Sequence, residues 1–293
     1  MVPSIRRSLL AVLGVMVVLL ALAGAPHDGA PASSFVGSTE DAPSSSGQVP
    51  LESRTVKSAP SNLRFDRISM GQGLAHSTVN CILQDRYGFM WLGTEDGLNR
   101  YDGHDLNAYR HNPDDPHSLS HNRVSSLFED SAGVLWVGTY GGGLNSFDRD
   151  AGQFTHYDAD DFQNVTDEPE EFRNVVLAID EYPSGVLWIA TYGGGLVRFD
   201  LATDRFTSYA PGPVESALAG HEWITAMQVD RSGLLWLGTN AVGLDRFDPG
   251  TGQFTSYRHD PNDPTTLGHD WITAILQDRS GQIWIGTAGQ GLD

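Results

Sequence analysis

The sequence predicts an all-β protein: a β-propeller of four-stranded antiparallel blades, with four complete blades and a partial fifth. Three observations predict it. Trp91, Trp136, Trp188, Trp236 and Trp284 recur at spacings of 45, 52, 48 and 48 residues, within the runs MWLGT, LWVGT, LWIAT, LWLGT and IWIGT. Apolar residues around each Trp alternate with period two, which excludes a helical solenoid. The 33 Gly and 15 Pro against a single Cys indicate many turns and no disulfide framework. Four-stranded units repeating at this length are propeller blades.

Within each unit the order of elements follows from local chemistry. An alternating first strand, such as Val79–Gln84 or Ile224–Val229, is closed by Asp and then Gly: Asp85 to Gly88, Asp130 to Gly133, Asp230 to Gly233, Asp278 to Gly281. Asp starts a tight turn through its side chain and Gly supplies the positive φ, so a hairpin leads into the Trp strand. The third copy carries two extra residues in this turn, between Asp180 and Gly185. A Gly-rich turn then leads to a third strand (Leu98–Tyr101, Leu196–Phe199, Leu244–Phe247). A second turn, as in Asp248–Gly252, leads to a fourth strand such as Phe254–Tyr257. Cys81 shares its slot with Ser126, Ala226 and Ala274 and is read as a small buried residue.

Three regions precede or form this array. In residues 1–25, Arg6 and Arg7 stand before an apolar run from Leu9 to Ala23, the pattern of an export signal cleaved near Ala21-Leu22-Ala23. A retained membrane anchor is the alternative, the run being slightly short of the ~20 residues of a spanning helix. Either way the bulk of the chain is expected outside the cytoplasm. Residues 26–62 are rich in Ala, Pro, Ser and Gly and read as a disordered tether. Residues 63–293 are the propeller. Phe65–Ile68 aligns with the fourth strand of a blade lacking its first three, and the chain stops inside the third strand of the fifth unit. The expectation is therefore the front part of a larger propeller, poorly soluble or self-associating when isolated.

The formal net charge is −19, and residues 63–293 hold 33 Asp and Glu against 14 Arg and no Lys. Nucleic-acid binders need clustered cations to displace counterions, so that class is set aside. Docking on anionic lipid is set aside for the same reason. Membrane attachment is expected only through the N-terminal run or segments beyond this sequence.

The units Val134–Tyr157 (VLWVGTYGGGLNSFDRDAGQFTHY) and Leu234–Tyr257 (LLWLGTNAVGLDRFDPGTGQFTSY) resemble the two-component regulator propeller family. So do the linkers HNPDDPHSLSHN (His111–Asn122) and HDPNDPTTLGHD (His259–Asp270). The Asp-x-x-Gly spacing departs from the Asp-x-Gly of sialidase-type boxes, and the Trp-Asp dipeptide of WD40 blades is missing. The resemblance implies the periplasmic sensor region of an inner-membrane signalling protein, working as a homodimer. Its output would be a histidine kinase, or alternatively a diguanylate cyclase, outside this chain. A secreted carbohydrate-active propeller, a lyase or glycosidase, is the rival class.

No catalytic grouping is legible, so the chain is read as a binding module and not an enzyme, with no cofactor and no metal. The glycine runs Gly141–Gly143 and Gly193–Gly195 join strand to strand without a following Lys, which is not a phosphate cradle. Asp114, Asp115, Asp260, Asn262 and Asp263 sit among prolines that break any EF-hand spacing and read as turn formers. His76, His121, His221 and His269 each stand three residues before a first strand, with Glu171 assigned to that slot in the third unit. Fanned around a ring they cannot converge on one zinc ion, so they are read as repeated hydrogen-bonding residues at the blade entrance. In a four-strand meander, the linker into the first strand and the turn between the second and third share one end of the blade. Arg123, Arg173, Trp223 and Trp271, in the linkers, therefore share a face with Glu95, Tyr140, Tyr192 and Asn240, in the turns. These slots vary between blades while the Trp strands stay fixed, which makes this face, with its histidines, the candidate ligand site. Trp and Tyr suit stacking on sugar rings, so a small-molecule or oligosaccharide ligand is expected, and the two Arg leave room for an anionic sugar.

Overall fold

The computed structural model describes residues 65–157, 174–192, 194–209 and 223–293. The chain divides into two units, residues 1–63 and 64–293, and every described residue belongs to the second. The expected signal and tether, residues 1–62, lie outside the described residues.

The second unit is all-β. Blade 1 contains β1 (Val79–Gln84), β2 (Met90–Thr94), β3 (Gly97–Tyr101) and β4 (Leu106–Tyr109). Blade 2 contains β5 (Val124–Glu129), β6 (Leu135–Thr139), β7 (Leu144–Asp148) and β8 (Gln153–Tyr157). Blade 3 contains β9 (Val176–Glu181), β10 (Val186–Thr191), β11 (Gly195–Asp200) and β12 (Arg205–Tyr209). Blade 4 contains β13 (Ile224–Val229), β14 (Leu235–Thr239), β15 (Leu244–Asp248) and β16 (Gln253–Tyr257). The partial blade 5 contains β17 (Ile272–Gln277), β18 (Ile283–Thr287) and β19 (Gly291–Leu292). Each is an antiparallel meander in chain order.

One expected strand is not there. Phe65–Ile68 belongs to none of the described sheets, and Phe65 is 90% exposed. The three strands of the blade it aligns with are not among the sheets of the described residues, so it has no neighbour there.

A repeated clamp sets the hairpin that opens four of the five described blades. In blade 1, Asp85 Oδ1 accepts the backbone N–H of Tyr87 and Phe89, and Oδ2 accepts the Trp91 indole N–H at 2.8 Å. Gly88 closes the turn at φ 90°, in the left-handed region that only glycine enters freely. The same Asp-to-indole bond joins Asp130 to Trp136, Asp230 to Trp236 and Asp278 to Trp284, at 2.8 to 3.0 Å. Thus the acidic turn and the invariant Trp are one device.

Blades join through their first strands, β1 against β5, β5 against β9, β9 against β13 and β13 against β17. The Trp of one blade meets the third-strand Phe of the next edge-on: Trp91 with Phe147, Trp136 with Phe199 and Trp188 with Phe247, centroids 5.5 to 5.9 Å apart. That geometry favours aromatic pairs beyond their buried area. Close approach is enforced by the glycine of the Trp strand. A Cβ on Gly138 would run into Ser126 Oγ and Val176 of the following blade. Gly93 is confined likewise by Cys81 and Val124. Cys81 packs against this core from that slot but is half-buried, not fully buried as expected, and desolvation pushes its thiol up to about 12. At the far end of the array the pattern opens out. Trp284 is 39% exposed where Trp91, Trp136 and Trp188 are nearly fully buried, and Leu276 and Leu292 beside it are exposed.

Candidate functional site

The end of each blade that carries the linker and the β2–β3-type turn is knitted by backbone hydrogen bonds. Tyr140 N–H donates to Arg123 O at 2.8 Å, Tyr192 N–H to Val175 O at 3.0 Å and Ala288 N–H to Trp271 O at 2.9 Å. Other bonds reach from a turn into the linker of the next blade: Gly97 N–H to Asn122 O, Gly143 N–H to Asn174 O and Gly243 N–H to Asp270 O. Linkers and turns therefore form one continuous rim, as strand counting predicts.

Two clusters of candidate side chains gather on it. The Arg123 guanidinium lies 2.9 Å from Glu95 Oε2 and stacks over the Tyr140 ring, 4.0 Å from its centroid. Glu95 comes from the turn of blade 1, and Arg123 and Tyr140 come from blade 2. Farther round, the rings of Tyr192 and Trp223 stack at 5.4 Å with planes 12° apart, and their backbones form an isolated bridge. Glu95 Oε1 and Trp223 Nε1 are buried atoms with no hydrogen-bond partner among the described residues. One acceptor and one donor on this rim thus stand unmet, and buried polar groups ordinarily find partners. Trp271 is half-buried in the same slot of blade 5.

The third blade corrects the register expected from sequence. Val124 pairs with Thr139 and Ile224 with Thr239, and in blade 3 the equivalent pair is Val176 with Thr191. The slot of Arg123, Trp223 and Trp271 therefore belongs to Val175, not Arg173. The turn of this blade is as long as the others, Tyr182 N–H bonding Val186 O as Asp130 N–H bonds Val134 O. The two residues expected as an insertion, Asp180 and Glu181, belong to β9, and Tyr182 holds the slot of the clamp Asp. Arg173 and His221 lie outside the described residues.

The described histidines take up the hydrogen-bonding role expected of them. His76, His121 and His269 each accept, at Nδ1, the backbone N–H two residues on: Thr78 at 3.1 Å, Arg123 at 3.1 Å and Trp271 at 2.9 Å. The Pro-rich linkers fold on themselves. Asn122 and Asp270 accept the N–H of His111 and His259 at 2.7 Å, and Asp115, Asp260 and Asp263 each cap a turn two residues ahead. Among the described residues no three His, Cys, Asp or Glu side chains group as a metal site.

Sequence reasoning missed the residues that seat the linkers. Asn99 accepts the N–H of Ala75, Asn145 that of Ser120, and Asp293 that of Gly268, at 2.9 to 3.0 Å. All hold one third-strand position, where blade 3 has Val197. The signal was a polar residue on an otherwise apolar strand, which is fully buried at Asn99, Asn145 and Asp245.

Three segments, residues 73–96, 118–141 and 266–289, match the two component regulator propeller family. Each match starts in a linker and ends in the turn it meets, so it runs from the rim, along two strands, back to the rim. A 65-residue stretch is 43% identical to Histidine kinase P4 of Formosa agariphila, covering 22% of this chain and 5% of that protein. Two solved structures of an extracellular domain from B. thetaiotaomicron, described as a one component and as a hybrid two component system, are also similar. They share 26% and 28% identity at TM-scores of 0.61 and 0.57, over 77% and 72% of this chain and 32% and 28% of those chains. This chain thus spans under a third of the length of either structure and a small part of the kinase. Virginiamycin B lyase from Staphylococcus aureus, 15% identical at a TM-score of 0.52 over 73% of this chain and 68% of its own, shares the fold alone. No helix among the described residues is long and apolar enough to cross a membrane.

Proposed function

We propose that this chain, whose repeats are those of the two component regulator propeller family, is the exported sensor propeller of a two-component signalling protein. It takes up a ligand on the rim and passes occupancy to a histidine kinase encoded beyond this span. The observation that carries the reading is the shared likeness to extracellular domains of such systems and to a histidine kinase. On this reading the propeller stands outside the inner membrane, in the periplasm, and the chemistry of phosphotransfer lies elsewhere. The propeller contributes recognition.

Rim chemistry narrows the ligand. Arg123 is neutralised by Glu95 and covered by Tyr140, so it offers little to an anion. The Tyr192–Trp223 stack and Trp271 offer half-buried aromatic ring surface, which suits a neutral oligosaccharide. Thermal unfolding of the full chain with a panel of neutral and acidic oligosaccharides tests this. A neutral sugar should raise Tm by mass action, and the rise should vanish in a Trp223→Ala, Trp271→Ala double variant. A rise that survives the double variant would place the ligand elsewhere.

A further inference from the structure

The histidines at the blade entrances are placed to do more than fill space. His121 Nδ1 accepts the N–H of Arg123, and His269 Nδ1 accepts the N–H of Trp271. These are the residues that present the side chains of the candidate ligand face. The same bond recurs at His76 and Thr78. An Nδ1 that accepts a backbone N–H needs a free lone pair, so the ring is neutral with its proton on Nε2. An imidazolium has N–H at both positions, and the accepting bond cannot survive protonation. Histidine is the side chain whose ordinary range crosses the pH of natural exteriors.

We infer that His121 is a pH-dependent positioning residue of the rim. When neutral it pins the backbone that presents Arg123; when protonated it releases it. The bearing on sensing rests on the ligand-face reading above, whereas the release itself does not.

The surroundings of His121 support a ring that is neutral at pH 7 and within reach of acid. The groups that face it are Glu95 from blade 1, His111 from the linker and Arg123 from its own strand entrance. Partial desolvation, then the His111 ring, holds its imidazole below the ordinary value; the Arg123 backbone contact and Glu95 act the other way, and the Arg123 charge lowers it further. Protonation would also create a cation beside a carboxylate whose Oε1 has no partner among the described residues. Glu95 then has a second claimant besides Arg123, so the Glu95–Arg123–Tyr140 cluster loosens on the side that loses its backbone bond. A folded value below the unfolded one means that this contribution to stability is complete above the ordinary range. It is lost as pH falls through that range towards the lowered value.

Hydrogen exchange of the Arg123 amide in the full chain tests the inference, with rates corrected for intrinsic pH dependence. Protection should fall about tenfold between about pH 7.5 and pH 5, in line with one lost hydrogen bond, while the Val137 amide in β6 stays unchanged. In His121→Asn the amide side-chain oxygen still accepts the Arg123 N–H but does not titrate, so protection should stay flat. Flat protection in the natural protein, or an equal fall in His121→Asn, would overturn it. Should that variant not fold, the ring nitrogen shifts of His121 in the natural protein decide. A neutral ring protonated on Nε2 supports the inference, and a proton on Nδ1 ends it. No readout contains a ligand, so failure of the rim as a ligand site is told separately by the oligosaccharide titration.

Discussion

Asp180 Oδ2 accepts the backbone N–H of Val229 at 2.8 Å, across the boundary between blades 3 and 4. Elsewhere this boundary is crossed the other way. The residue after the turn Asp donates its N–H to a side chain ending the next first strand: Arg86 to Glu129, Ser131 to Glu181 and Arg231 to Gln277. Val229 has no such acceptor. Asp180 supplies one, and Trp188, deprived of its Asp, turns its indole N–H to Tyr182 O at 2.7 Å.

Burial, against the donated N–H groups of Val229 and Glu181, raises the Asp180 carboxyl above its ordinary value. A raised folded value means the contribution to stability is complete below the unfolded value near 3.8 and is lost as pH rises through the folded one. Asp180→Asn removes that loss and keeps one acceptor. Its unfolding free energy in urea should depend less on pH above about pH 4 than that of the natural chain. Asp180→Ala strands the Val229 N–H and should cost about 1–3 kcal/mol at neutral pH.

Asp85 is the most committed of the clamp residues. Its side chain is fully buried, holds the Trp91 indole and meets Arg149 of blade 2 at 2.6 Å. Burial raises its carboxyl, but the bonds from Trp91, Arg149 and Phe89 outweigh it and hold it below the ordinary range. Its contribution is therefore present at neutral pH and lost as acid titrates it. Asp85→Ala strands the Trp91 indole N–H, while Arg149 keeps Glu129 at 2.9 Å, and should cost about 1–3 kcal/mol in urea unfolding. Asp278→Ala, beside the exposed Trp284, should cost much less.

Trp223 separates packing from recognition. Its indole N–H is buried without a partner among the described residues while its ring stacks on Tyr192. Trp223→Phe keeps an aromatic stack and removes the unmet donor, so stability should hold or rise by up to about 1 kcal/mol. Where a sugar hydroxyl accepts that N–H, calorimetric affinity should fall about tenfold in the same variant. A variant with unchanged stability and unchanged affinity would confine Trp223 to packing.

Cys81 should be inert. With its thiol pushed up to about 12, almost no thiolate exists at pH 8 in the folded chain. Thiol reagents should react with Cys81 only on unfolding, and labelling in increasing urea should follow the loss of blade 1.

Much of this was legible from sequence because a repeat makes each residue a vote on its equivalents. The strands Val79–Gln84 and Ile224–Val229 and the hairpin glycines fall where alternation and Asp-x-x-Gly spacing put them. The shared end of linker and turn followed from counting strands. Tertiary pairing was less visible. Glu95 and Arg123 are distant in sequence, and only the stacking of blade 1 on blade 2 brings them together. The meaning of Arg123 thus changed from a spare cation to a neutralised one. In blade 3 the vote failed, because Asp180 stands in for a clamp slot that Tyr182 holds, and an atypical linker put Arg173 in place of Val175.

Each first strand packs chiefly on those of the adjacent blades. Such an array behaves like a row of coupled links, where a lesion is felt by its neighbours and dies out beyond them. The rim positions sit at the ends of those links, outside the Trp–Phe and glycine contacts that do the coupling. A change at Trp223 or Arg123 therefore need not be answered anywhere else in the molecule. That decoupling lets one scaffold be retuned to new stimuli blade by blade, without renegotiating the fold.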